Sequence, residues 1–158
     1  LKMKKILILS MFLTISLAGL SAPNTADISK MREENGITYY FNENTPFTGK
    51  VIDKKDRIYY SNGKPDGKWV TFFPNGALKS IENWKDGKLN GKYVIYQENG
   101  LKVMQTSYIN GNDNGDYFLY HENGNLQVRG YFKNGIPTGT WKYYYSDGKL
   151  KGKAVYPE

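Results

Sequence analysis

The 158-residue chain contains no cysteine. Disulfide staples, thiolate nucleophiles and cysteine-based zinc sites are therefore excluded. It has a single histidine, His121, which cannot build a multi-histidine metal centre. His121 stands beside Glu122 at the end of a strand-like run and reads as an ordinary surface residue. A hydrolase needs a nucleophile and an oriented base. Ser107 and Asp113 are available, but no motif places them together. No enzymatic activity and no cofactor is expected.

Long apolar runs are also scarce, with one exception at the amino end. Lys2, Lys4 and Lys5 form a positive region, within which Met3 reads as the initiator. Ile6 to Leu20 is the apolar stretch, and Ser21, Ala22 and Pro23 follow. This is the layout of a cleavable export signal over residues 1–22. The run is short for a membrane span, which needs about 20 apolar residues. Its closing Leu-Ala-Gly-Leu has no cysteine to accept a lipid. The expected location is secreted or in a bacterial cell envelope, periplasmic or at the surface, with no stable span in the mature chain. Loss of Lys2, Lys4 and Lys5, with no acid removed, lowers the formal charge from +7 to +4. That balance and export both argue against nucleic-acid binding.

What the chain does have is glycine and tyrosine, 17 and 14 residues. They favour strands and tight turns over helices. They are also strictly phased. Four segments open with glycine and carry an aromatic two residues later: Gly67 and Trp69, Gly91 and Tyr93, Gly115 and Tyr117, Gly139 and Trp141. A second glycine follows nine residues on, at Gly76, Gly100, Gly124 and Gly148. A third precedes by four, at Gly63, Gly87, Gly111 and Gly135. Trp84, Tyr108, Phe132 and Tyr156 make a second ring column. A fixed 24-residue period marks a repeat fold.

Residues 23–44 read as an amino-terminal arm or linker, with strand formers at Ile37 to Phe41. The repeat domain then occupies 45–158. Its first unit, 45–66, is irregular, because the step from Gly49 to Gly67 is shorter than one period. A terminal repeat that departs from the pattern caps the stack. The regular units are 67–90, 91–114, 115–138 and 139–158.

Each unit reads as a β-hairpin followed by a connecting loop such as Lys85 to Asn90. Asn-Gly or Asp-Gly between apolar runs is a strong hairpin signal. Pro74 has no N–H to give, which disfavours a two-residue type I′ turn. A type I turn with Pro74 in second position and Gly76 left-handed predicts three-residue loops closed by a glycine bulge. Leu101 stands one position earlier than Leu78, Leu126 and Leu150, so a local shift or bulge is expected in that unit. Rings point both ways along each strand, as in Trp141, Tyr143 and Tyr145 against Tyr144. The expectation is an all-β fold: an elongated, twisted antiparallel sheet of tandem hairpins with one aromatic face partly exposed. An isolated hairpin is marginal in water, so neighbouring units must support one another.

The stretch Trp84-Lys-Asp-Gly87-Lys-Leu-Asn-Gly91-Lys-Tyr93 resembles the MORN repeat. Extended through Tyr96-Gln-Glu-Asn-Gly100, it is similar to the bacterial variant of that repeat. The likeness covers Thr45 to Pro157, but Glu82-Asn83-Trp84 stands where eukaryotic forms carry a Tyr-x-Gly-x-Trp opening. The resemblance implies a binding or scaffolding array with no catalytic residues. Variant proteins are often catalogued as antitoxin components, and eukaryotic arrays are linked to membrane attachment and protein assembly.

The functional expectation is an exported scaffold that binds another protein, of host or envelope origin. Two alternatives stand beside it: cell-wall glycan or choline binding, and an antitoxin or immunity role. The column Trp69, Tyr93, Tyr117 and Trp141, with Gly67, Gly91, Gly115 and Gly139, is read as structural, its rings forming the inter-hairpin core. Tyr143, Tyr144, Tyr145, Phe118 and Tyr120 are the candidate contact residues. Asn110 to Asp116 has calcium-loop composition, yet the equivalent stretches lack its acids, so no metal is assigned. Lys50, Lys68, Lys88 and Lys92 recur beside glycines; one reading is a basic stripe along one edge, and the favoured one is edge lysines that block aggregation.

Overall fold

A computed structural model describes residues 24–158. The run read as an export signal lies outside the described residues. The described chain starts with strand β1 (Thr25–Asp27), a 3-10 turn (Ile28–Lys30) and a small hairpin of β2 (Met31–Glu34) and β3 (Ile37–Tyr40). A second hairpin follows, β4 (Gly49–Asp53) and β5 (Asp56–Ser61). Then come β6 (Lys64–Pro65), β7 (Gly67–Phe72), β8 (Leu78–Lys85) and β9 (Lys88–Leu89). The same rhythm continues through β10 (Gly91–Tyr96), β11 (Lys102–Ile109), β12 (Asn112–Asp113), β13 (Gly115–Tyr120) and β14 (Leu126–Lys133). It closes with β15 (Ile136–Tyr144) and β16 (Leu150–Tyr156).

From β4 onward the sheet runs β4-β5-β7-β8-β10-β11-β13-β14-β15-β16, all antiparallel, with the two-residue strands β6, β9 and β12 folded back on β5, β8 and β11. Only β1 is parallel, laid along β4. The result is one long sheet of tandem hairpins, the fold class the 24-residue period implies.

The hairpin loops have the predicted form. The Gly76 N–H donates to the Phe73 carbonyl and the Phe73 N–H to the Ala77 carbonyl, both at 2.8 Å. Gly76 has φ +86°, so Pro74, Asn75 and Gly76 form a three-residue loop with its glycine left-handed. The loops ending in Gly100, Gly124 and Gly148 repeat the same pair of bonds.

The bulge expected in the Leu101 unit is present but not particular to it, and the connecting loops are corrected. All four regular hairpins carry one further bulge, with Lys79, Val103, Gln127 and Lys151 left unpaired in the return strand. The unit containing Leu101 keeps this register, and Lys102 simply takes the place of Leu78 opposite Tyr96. A shift there would have turned the inward rings outward, so the pairing holds and one leucine is given up. The stretches read as connecting loops are themselves tight two-residue turns. Lys85 pairs with Lys88 across Asp86 and Gly87, whose φ angles of 49° and 79° define a type I′ turn.

These turns also join the units. The N–H groups of Gly87, Gly111 and Gly135 donate to the carbonyls of Pro65, Leu89 and Asp113 in the preceding unit, at 2.7–2.8 Å. Beside them, Asp66, Asn90 and Asn114 accept the backbone N–H groups of Asp86, Asn110 and Asn134. This second polar column keeps the same period as the rings.

The best-buried apolar core lies at the amino-terminal end. Phe47 and Val51 are almost wholly inaccessible and join Ala26 and Ile58. Met31, Tyr40, Tyr60 and Trp69 pack around them. The irregular first unit and the β2–β3 hairpin thus cover the sheet where it would otherwise end.

Candidate interaction faces

Alternation along the strands sorts every side chain onto one of two faces. The first face carries both ring columns. Within the hairpins, Trp69 lies 5.3 Å from Trp84, Tyr93 5.7 Å from Tyr108, Tyr117 5.4 Å from Phe132 and Trp141 5.9 Å from Tyr156. Contacts also cross between units. Tyr60 reaches Trp69 at 5.4 Å, and Trp141 touches Tyr117 and Phe132 at 5.6 and 4.9 Å. The residue opposite each leading ring is Glu82, Thr106, Gly130 or Ala154. Thr106 and Gly130 are buried beneath the rings. Gly130 clears the space in which Trp141 becomes the most buried ring of its column.

Carboxylates punctuate this face. Glu82 accepts from Ser80 Oγ and Trp84 Nε1, both at 2.9 Å. Asp113 accepts from Thr106 Oγ1 at 3.0 Å. Burial, reinforced by the Asp113 charge, pushes Tyr108 up to about 12. Burial also raises Tyr93 and Tyr117, the first with help from Glu82 and the second from Asp113. The stretch with calcium-loop composition is divided between a type I′ turn and β12, and the Asp113 oxygen is occupied by hydroxyl groups. Among the described residues, no group of three or more His, Cys, Asp or Glu side chains is placed to hold a metal.

The second face has three straight rows running across the strands. One holds Phe72, Tyr96, Tyr120 and Tyr144, opposite Leu78, Lys102, Leu126 and Leu150. The middle row reads Arg57, Val70, Ile81, Val94, Gln105, Phe118, Arg129 and Lys142. The third holds Lys50, Lys68 and Lys92, opposite Tyr59, Asn83 and Ser107.

The five candidate contact residues divide between the faces. Phe118, Tyr120 and Tyr144 share the second face, with Arg129 stacked 5.6 Å from the Phe118 ring. Burial raises the Tyr120 pKa. Tyr143 points to the first face, where its hydrogen bond with Tyr156 raises its pKa. Tyr145 follows the strand, 52% exposed, with the Lys151 ammonium 5.6 Å from its ring. His121 Nε2 donates to the Tyr144 carbonyl at 2.9 Å and ties adjacent hairpin ends together.

Reading residues singly missed Phe72 and Tyr96, which complete the ring row. Their signal was present as a third aromatic column with the same 24-residue period. The lysines are also reassigned. Lys68 and Lys92 lie on β7 and β10, strands paired on both sides. They cannot guard an edge. Lys88 sits beside a turn, apart from the row.

Comparison with known proteins bears on the repeat itself. A family model described as MORN repeat variant matches residues 65–86, 113–134 and 137–156. No curated protein matches the chain. One solved structure, described as a Glycosylation Associate Protein (Gap123) complex from Streptococcus agalactiae, is similar over 73% of this chain. Identity is 14% and the TM-score 0.36, and the match spans 20% of that chain. So slight a likeness transfers neither fold nor partner.

Proposed function

The chain is a MORN repeat protein of the variant type, and from that premise we propose that it is an exported, non-enzymatic scaffold that holds a partner protein on one sheet face. Arrays of this repeat are binding modules. The observation that carries the reading is the ring row Phe72, Tyr96, Tyr120 and Tyr144, half-buried on a sheet face over which the described residues place no second layer. Half-buried aromatics keep few rotamers to lose, and such residues anchor protein interfaces. Export rests on the amino-terminal pattern ending near Ala22.

The test is a pull-down with the chain lacking residues 1–22, followed by mass spectrometry. Tyr120→Ser with Tyr144→Ser should lose the captured protein while the circular dichroism spectrum stays unchanged. Capture undiminished by these changes would refute the placement of the site. Retention on wall material, competed by choline or sugar, would refute a protein partner.

A further inference from the structure

The second face carries a column of cations as well as its ring row. Lys50, Lys68 and Lys92 stand in register on that face, one per hairpin, joined through Tyr59, Asn83 and Ser107. Arg57, Arg129, Lys142 and Lys153 occupy the adjoining middle row. Among the described residues the ion pairs are Arg32–Glu34 and Lys149–Asp147, so none of these seven cations is neutralised within the chain.

Three acids come near. Asp66 Oδ2 is engaged by the Asp86 N–H, and Asp56 Oδ1 by the Phe72 N–H. Asp116 occupies the position in its hairpin that Lys68 and Lys92 hold in theirs. The cationic column is therefore strongest over the first hairpins. There it borders an open hollow of about 820 Å³, lined by Lys50, Arg57, Tyr59, Lys68 and Val70.

Equivalent lysines are two strands apart, about 9.6 Å at the usual strand spacing. A polyproline II chain advances about 9.3 Å in three residues and returns to the same side. A carboxylate at every third position would thus meet one lysine per hairpin. The residues between would face Val70 and Ile81 of the middle row and the rings of Phe72 and Tyr96, all partly exposed. A phosphate polymer fits less well, because duplex DNA carries a charge about every 1.7 Å. Most of its charges would meet no cation here.

We propose that the second face binds an extended acidic polypeptide segment, in polyproline II geometry, with a carboxylate at every third residue. This rests on the protein-binding reading and supplies its partner chemistry. The segment crosses the strands, its carboxylates on Lys50, Lys68 and Lys92 and its apolar groups on the ring row.

The experiment measures binding of a synthetic peptide of Glu-Pro-Pro triplets to the chain by calorimetry. Three comparison probes are used: the same composition with glutamates irregularly spaced, phosphatidylglycerol vesicles, and polyphosphate. Triplet binding that weakens with added salt is expected. It should fall about tenfold in Lys68→Gln with Lys92→Gln, both exposed positions. Lys30→Gln with Lys149→Gln, in the 3-10 turn and the last hairpin loop, removes the same charge from elsewhere and should leave binding within about twofold.

Equal loss in both pairs would reduce the effect to net charge and overturn the proposal. So would equal binding of the irregular peptide, preference for vesicles or polyphosphate, or no peptide binding. If the partner from the pull-down binds the Lys68, Lys92 variant undiminished but not the Tyr120, Tyr144 variant, this inference falls and the protein-binding reading stands. If it binds both variants undiminished, both fall.

Discussion

Replacing Gly130 with alanine is the sharpest test of how the rings are packed. Gly130 is one of the few glycines here whose φ is not left-handed. Alanine is therefore conformationally acceptable, and loss of glycine's freedom in the unfolded chain would favour folding by about 0.4–1 kcal/mol. Space opposes it. A Cβ built on Gly130 would lie 2.2 Å from Trp141 Cδ2, 2.3 Å from Cε2 and 2.6 Å from Cε3. These are atoms of a rigid ring, so the whole indole must move. Overpacking of this kind costs about 1–3 kcal/mol. Displacing the indole also weakens its contacts with Tyr117, Phe132 and Tyr156, at 5.6, 4.9 and 5.9 Å. Each such pair is worth about 0.5–1.5 kcal/mol. The expected outcome is a loss of about 2–4 kcal/mol in urea unfolding, followed by circular dichroism and tryptophan fluorescence. In a Trp141→Leu background the same change should cost far less, giving a coupling energy of at least about 1 kcal/mol. A Gly130→Ala protein as stable as its parent would refute the packing described.

The other glycines and one tyrosine supply further tests. Gly111 is left-handed at φ +86°, with nothing closer than 3.9 Å to a built Cβ. Gly111→Ala should therefore cost about 1–2 kcal/mol from backbone strain alone. Gly152 has neither a left-handed φ nor a neighbour within 4 Å, so Gly152→Ala should be neutral or stabilising by up to about 1 kcal/mol. Urea midpoints compare the pair, and equal effects would refute the distinction. Tyr108 is raised to about 12 by burial and by Asp113. Its contribution is intact below the ordinary phenol pKa of 10.0 and is lost as pH rises from there through 12. Asp113→Asn should lower the pH at which this phenolate appears in absorbance titration. An unmoved titration would remove Asp113 as a cause.

Much of the architecture was legible because each periodic signal has one physical meaning. Pro74 cannot donate an N–H, and Gly76 can be left-handed, so the loop type followed from two residues. The Leu101 offset marks no change of register, and the bulge in its unit is one that all four hairpins share. Register is held by the whole ring set, and a common bulge absorbs the difference. Asp86-Gly87, Asn110-Gly111 and Asn134-Gly135 carry the residues a type I′ turn requires, but β9 and β12 after the first two are only two residues long and show no strand pattern. The candidate contact residues were chosen singly, without the rows that place Phe72 and Tyr96 beside Tyr120 and Tyr144.

The amino-acid order alone determined the period, the turn chemistry, the all-β class and the alternation of rings along each strand, because all of these depend on contacts a few residues apart. Which strands meet, that Trp141 lies over Gly130, and that Lys50, Lys68 and Lys92 form one column were decided only by tertiary structure. Hydrogen bonding across successive hairpins sets these relations. It converts one repeat unit of chain, whether shortened or of full length, into two strand widths in space.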